Sequence, residues 1–124
     1  MKDADFWNPI IETLPREQLE ELQLRKFKEI FSWTYANSPF YHQLYADAGI
    51  EPANIKTIED IARVPKVEKS MMRAIQGKDP YPYGEMLAVP LEQVTEYHQT
   101  SGTTGQPVYQ ADSWTDWELF GEQW

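Results

Sequence analysis

The sequence contains no cysteine and only two histidines among its 124 residues. Without cysteine the chain forms no disulfide, no thiolate nucleophile and no cysteine-ligated metal site. The histidines, His42 and His98, stand far apart, and no carboxylate pair or histidine cluster has the spacing of metal ligands. We therefore assign no metal ligand.

Basic residues are scarce, with 11 Lys and Arg against 20 Asp and Glu and a net charge of −9. A nucleic-acid-binding protein needs a basic surface, so the charge argues against nucleic acid as a partner. It does not exclude one local anion site, because backbone N–H groups bind phosphate without net positive charge.

Long apolar runs are absent too, although 41% of the residues are hydrophobic and can form a core. No stretch approaches the roughly 18 apolar residues of a membrane-spanning helix. The first residues, MKDADFWNPI, do not resemble a signal peptide. We expect a cytoplasmic protein with no membrane partner.

Residues 1–90 have the pattern of about four helices after an irregular arm over residues 1–13. The first helix begins at Pro15 and has an apolar stripe at helical spacing. The stripe consists of Leu19, Leu22, Phe27, Ile30, Phe31 and Thr34. Ser38 caps a second helix that ends at Gly49.

Two shorter helices follow before the pattern changes. TIEDIARVP predicts a third helix, with Thr57 and Asp60 at capping-box spacing, and KSMMRAIQ predicts a fourth that ends at Gly77. From Val94 onwards alternate residues predict a strand, and residues 107–111 predict a second one. Ser113 and Asp116 have capping-box spacing before a last helix.

These elements predict an α+β fold in which a helical region, residues 1–90, precedes a strand-loop-strand-helix unit, residues 91–124. We treat residues 1–124 as a single, incomplete domain. The loop of the hairpin contains only hydroxyl-bearing residues and glycine: Thr100, Ser101, Gly102, Thr103, Thr104 and Gly105. Composition alone favours a solvated hairpin loop over an anion cradle, and the Gly-Lys-Ser/Thr ending of a Walker A loop is missing.

The order of residues in the loop is more informative than its composition. HQTSGTTGQP resembles the phosphate-binding signature of adenylate-forming enzymes, unbroken from Thr100 to Gly105 and with Pro107 in place. The stretches LPREQLEELQLRKFKEIF, NSPFYHQLYADAGIEPANIKTIEDIARVPKVEKSMM and PYGEMLAVPLEQVTEYH resemble the N-terminal region of phenylacetate–CoA ligases. The resemblance covers about residues 10–124.

The sequence departs from these families at two places in the signature. Many adenylate-forming enzymes have lysine where Val108 stands, although phenylacetate–CoA ligases often lack it. Phenylacetate–CoA ligases often have lysine where Gln106 stands, so one charged contact to a phosphate is missing here. VYQADSW is also more polar and aromatic than the usual strand, which leaves the carboxylic acid substrate open.

The resemblance implies an acyl- or aryl-CoA ligase that uses ATP, Mg²⁺ and coenzyme A to activate a carboxylic acid. Ser101, Thr103 and Thr104 would offer hydroxyls to the β- and γ-phosphates, and Gly102 and Gly105 would give access to the backbone. Thr100 begins this phosphate-binding run. The catalytic residues stay unknown.

Such ligases are several times longer, so we expect an N-terminal fragment that is inactive alone, with no certain cofactor of its own. The alternative is a stand-alone, non-catalytic helical interaction module. His98 has two interpretations, a structural strand residue or a neighbour of the nucleotide, and the first is favoured.

The last helix carries an aromatic stripe, since Trp114, Trp117 and Trp124 fall near one helical face. We expect exposed aromatic surface there, and self-association or a homodimer as a result.

Overall fold

The computed structural model describes residues 6–102 and 105–121. In that part of the chain five α-helices precede or follow one antiparallel hairpin. The helices are α1 (Pro9–Glu12), α2 (Arg16–Asn37), α3 (Pro39–Asp47), α4 (Lys69–Ile75) and α5 (Trp114–Gly121), and the strands are β1 (Val94–Gln99) and β2 (Tyr109–Ser113). Short 3-10 helices span Pro52–Asn54, Ile58–Arg63, Gly84–Met86 and Leu91–Gln93. The α+β fold is confirmed.

The N-terminal arm is not irregular throughout, which corrects the prediction for residues 1–13. Asn8 caps α1 by accepting a hydrogen bond from the Ile11 N–H, and Pro9 occupies the first turn. Trp7 and Ile10 are 75% and 79% exposed, so this arm contributes little to the core.

Helices α2 and α3 form the main hydrophobic core. Phe31 and Tyr45 are buried with ring centroids 4.6 Å apart, and Ile50 and Ile55 complete the cluster. Ile30, a member of the predicted stripe, is 54% exposed, so only part of that stripe packs inward. Burial raises the pKa of the Tyr45 hydroxyl because the interior disfavours its charged form.

Ser38 separates the two helices as predicted. Its hydroxyl accepts a hydrogen bond from the Tyr41 N–H and points to the carbonyl oxygens of Glu85 and Met86, at 3.2 and 3.0 Å. Gly49 adopts φ +67° where α3 ends, also as predicted. The buried cap therefore joins the helical core to the connector that precedes the hairpin.

The third predicted helix is a 3-10 helix, Ile58–Arg63, with the predicted capping box between Thr57 and Asp60. The seven residues between that cap and Pro65 leave little room for an α-helix, and short 3-10 turns suit such connections. The fourth predicted helix is α4, and Gly77 follows it with φ +84°.

The second strand begins later than predicted, at Tyr109 rather than Pro107, and extends to Ser113. Proline has no N–H to donate to a strand ladder, so the chain enters β2 only after Pro107 and Val108. Gln99 lies opposite Tyr109, His98 opposite Gln110, and Tyr97 opposite Ala111, in antiparallel register. Helix α5 starts where predicted, with Ser113 and Asp116 forming a capping box.

Candidate functional site

The candidate site is the loop that joins β1 to β2. Two hydrogen bonds close its base: the Thr100 N–H donates to the Val108 carbonyl at 3.1 Å, and the Val108 N–H donates to the Thr100 hydroxyl at 3.1 Å. Val108 is buried, so the base of the loop is anchored. The predicted position of TSGTTG between two antiparallel strands is confirmed.

Within the loop, two glycines make a tight turn. Gly102 has φ +68° and Gly105 has φ +148°, and the Gly105 N–H donates to the Gly102 carbonyl at 3.0 Å. A Cβ at Gly102 would stand 2.8 Å from the Gly105 carbonyl oxygen, closer than real contacts allow. Glycine is therefore required at Gly102 both by its backbone angle and by space.

The predicted phosphate ligands lie at different places in this loop. Ser101 is exposed, whereas Thr100 is half-buried and its hydroxyl accepts a hydrogen bond from the Val108 N–H. Thr103 and Thr104 lie outside the described residues. An exposed serine beside a tight glycine turn suits an anionic ligand.

Two residues that sequence reasoning missed hold this hairpin: Arg73 of α4 and Gln76, which follows α4 directly. Gln76 donates from its side-chain amide to the Tyr109 carbonyl at 2.6 Å and accepts from the Tyr109 N–H at 2.8 Å. Arg73 donates from Nε to the Gln106 carbonyl at 2.9 Å. Arg73 lies within α4 and Gln76 is its C-cap, and nothing local in the sequence indicates that this end of the helix meets the hairpin.

His98 lies on β1 and contacts both neighbouring elements. Its Nε2 is 3.1 Å from the Asp112 carboxylate on β2, and its ring stacks near Trp117 of α5 with centroids 6.1 Å apart. These contacts link the hairpin to α5. A cavity of about 350 Å³ lies beside them, with Gln110, Asp116 and Phe120 in its lining.

His42 serves the helical core. Its Nδ1 lies 2.9 Å from the Tyr35 carbonyl oxygen, and its ring packs on the Tyr35 ring. Among residues 6–102 and 105–121, no group of three or more histidine or acidic residues is placed to hold a metal ion. No helix in that same part of the chain is long and apolar enough to cross a membrane.

The chain is similar to known CoA ligases over most of its length. No family model matches the chain. It is 38% identical over 117 residues to the phenylacetate–coenzyme A ligase of Thermus thermophilus, a match covering 94% of this chain and 25% of that ligase. It is 38% identical over 98 residues to the phenylacetate–coenzyme A ligase of Pseudomonas putida, covering 79% and 21% of the two chains.

A solved structure gives the same result. The chain superposes on 2-hydroxyisobutyryl-CoA ligase in complex with 2-HIB-AMP and CoA with a TM-score of 0.84 and 31% identity. That match covers 99% of this chain and 26% of the ligase. The chain spans about a quarter of the length of the relatives it matches.

The fold and the loop define the class: the chain has the architecture of the N-terminal region of an adenylate-forming CoA ligase. Within that class its sequence relatives are phenylacetate–CoA ligases, so the predicted resemblance to that family is confirmed.

Proposed function

We propose that this chain is the ATP-phosphate-binding part of an acid–CoA ligase that adenylates a carboxylic acid and passes the acyl group to coenzyme A. The observation that carries the proposal is the glycine turn between Gly102 and Gly105, which lies within the hairpin loop of a fold matched by a ligase with bound acyl-AMP and CoA. The hydroxyl of Ser101 is exposed beside that turn.

In the proposed reaction the carboxylate oxygen of the acid attacks the α-phosphorus of ATP, and pyrophosphate leaves. The thiol of coenzyme A then attacks the acyl carbon, and AMP leaves with the thioester as product. Negative charge grows on the pyrophosphate in the first step, and preorganised N–H and hydroxyl donors stabilise it. Ser101, Thr103 and Thr104 are the proposed hydroxyl donors.

The proposed partners are small molecules: ATP, coenzyme A and an aryl or acyl carboxylic acid, rather than nucleic acid. Magnesium would arrive with ATP as its counter-ion and offset the charge of the phosphates. A cytoplasmic location, where these metabolites are available, belongs to the same proposal.

The test is ATP–pyrophosphate exchange by the complete ligase that carries this segment, with a panel of aryl and acyl acids. Ser101→Ala and Thr104→Ala should each slow exchange by a barrier increase of about 2–4 kcal/mol, the usual effect of removing one such donor. Thr13→Ala is the matched control, because this hydroxyl bonds to the Pro9 carbonyl at the opposite end of the chain. Exchange that is unchanged in both loop variants would exclude these hydroxyls from the site.

For the 124-residue chain alone we propose binding without turnover. AMP release from ATP, coenzyme A and the acid panel should not exceed that of a variant lacking residues 100–105. Turnover above that background would identify a complete small enzyme. Absence of pyrophosphate binding together with absence of turnover would favour the interaction module.

We further propose that the chain self-associates through α5. Trp114, Leu119 and Phe120 are 62%, 50% and 49% exposed on this helix, and exposed apolar patches promote association. Sedimentation over a range of concentrations should show oligomers that Trp114→Ser weakens. Trp7→Ser, at a tryptophan near the other end that is 75% exposed, should leave association unchanged, and equal effects of both variants would contradict the assignment to α5.

A further inference from the structure

Arg73 lies directly against the phosphate-binding loop. Its Nε donates to the Gln106 carbonyl at 2.9 Å. The guanidinium carbon and both terminal nitrogens lie 3.8–4.0 Å from the position that a Cβ at Gly105 would occupy. The charged group therefore bonds to Gln106 and lies close to Gly105 at the end of the loop.

The charge of Arg73 is not neutralised by a carboxylate in the part of the chain that the structure describes. The carboxylates that lie within ion-pair distance of a basic side chain there have other partners: Arg16, Arg63 and the His98 ring. Arg73 also lines an open depression of about 550 Å³ beside the loop, together with Tyr81 and Pro107. The half-buried side chain thus places positive charge next to the loop in a chain whose net charge is −9.

Two properties of arginine fit this position. The guanidinium has five N–H donors in a planar fork, so one of them can hold a carbonyl while others point to an anion. The guanidinium is also a cation, so the side chain from α4 places positive charge beside Gln106, the residue that it holds.

We propose that Arg73 is a positioning residue of the phosphate site, which holds the loop at Gln106 and adds positive charge beside it. This rests on the proposed function, and the ligand class is the pyrophosphate group of a nucleoside triphosphate. A purely structural role would need only the hydrogen bond to Gln106. The charge role adds an electrostatic attraction that salt screens.

The experiment is a titration of the isotopically labelled 124-residue chain with inorganic pyrophosphate, following the backbone amides of Ser101, Gly102 and Gly105 by NMR. Arg73→Met removes the charge and the donor, whereas Arg73→Lys keeps the charge and loses the fork. We expect about tenfold weaker binding for Arg73→Met and about threefold for Arg73→Lys. Arg16→Met, on an exposed arginine of α2, should bind as the unaltered chain does.

Two further readouts separate charge from structure. Added NaCl should weaken binding more steeply in the unaltered chain and in Arg73→Lys than in Arg73→Met. Without pyrophosphate, the Gly105 amide should exchange with solvent faster in both Arg73 variants, because the link from Nε to the Gln106 carbonyl is lost.

The outcomes distinguish the two proposals. Equal pyrophosphate affinity in the unaltered chain and Arg73→Met would overturn the role of Arg73 and leave the loop intact as a phosphate site. No pyrophosphate-dependent shift in the unaltered chain would overturn the proposed function and the charge role together. If Arg73→Met loses its native spectrum, the Arg73→Lys variant is the deciding test. A pyrophosphate affinity of Arg73→Lys equal to that of the unaltered chain would then overturn the proposal.

Discussion

The side-chain amide of Gln76 pairs with the backbone of Tyr109 as a residue of a neighbouring strand would. It donates to the carbonyl at 2.6 Å and accepts from the N–H at 2.8 Å, which satisfies both backbone groups of the first residue of β2. Unpaired backbone groups in a half-buried place cost free energy, so this pair attaches the hairpin to α4.

We predict that Gln76→Ala lowers the free energy of unfolding by about 2 kcal/mol, since two hydrogen bonds contribute about 1 kcal/mol each. Urea denaturation measures the change. Gln43→Ala is the control, because Gln43 makes only an exposed bond to Asp47 on one helix. Equal small effects of both substitutions would mean that Gln76 does not hold the hairpin.

Gly84 and Gly49 provide a second matched pair. Both have positive φ, +61° and +67°, but a Cβ at Gly84 would collide with the Ile75 carbonyl oxygen, whereas nothing lies within 4 Å of one at Gly49. Gly49→Ala should cost about 1 kcal/mol of stability, from the left-handed backbone alone. Gly84→Ala should cost more than about 3 kcal/mol, because strain and overlap add. Thermal unfolding of the two variants checks this, and similar losses would contradict it.

The buried cap at Ser38 should matter more than an exposed one. Its hydroxyl serves both the Tyr41 N–H and the carbonyl oxygens of the connector, and the residue is 1% exposed. Ser38→Ala should therefore lower the free energy of unfolding by about 2 kcal/mol or more. Asn8→Ala, at the exposed cap of α1, should cost well under 1 kcal/mol in the same denaturant titration. The reverse order would refute the importance of burial.

The Asp60 carboxylate makes stability depend on pH. Hydrogen bonds from the N–H groups of Lys56 and Thr57, with a smaller contribution from Arg63, hold the pKa of Asp60 below its ordinary value. A carboxyl whose pKa is lower in the folded state contributes stability above its unfolded pKa, and that stability is lost as pH falls through the folded pKa. The loss should begin near pH 4 and continue below it.

Denaturation at a series of pH values from 7 to 2 measures this contribution. Asp60→Asn should flatten the decline of stability with falling pH, while the exposed neighbour Glu59→Gln should leave it nearly unchanged. An Asp60→Asn chain with the same acid dependence as the unaltered one would show that Asp60 is not responsible.

Much of the fold was predictable because its signals are local. Ser38, Pro39 and Gly49 delimit α3 within the reach of neighbouring backbone groups, and the hydroxyl-glycine run between two alternating stretches predicted the loop of the hairpin. Two predictions about local structure were wrong. The element before Pro65 is a 3-10 helix rather than an α-helix, and β2 begins only after Pro107. In each case proline limited which backbone hydrogen bonds the chain could make.

The amino-acid sequence by itself determined the loop, its glycines and the resemblance to CoA ligases, because these depend on residue type and on spacing along the chain. Only the tertiary structure decided that Arg73 and Gln76 hold that loop. Each reaches a partner 33 residues away, Gln106 and Tyr109 respectively. No periodicity encodes such a pairing, since it forms only when α4 and the hairpin pack together and the backbone groups of β2 must find donors and acceptors.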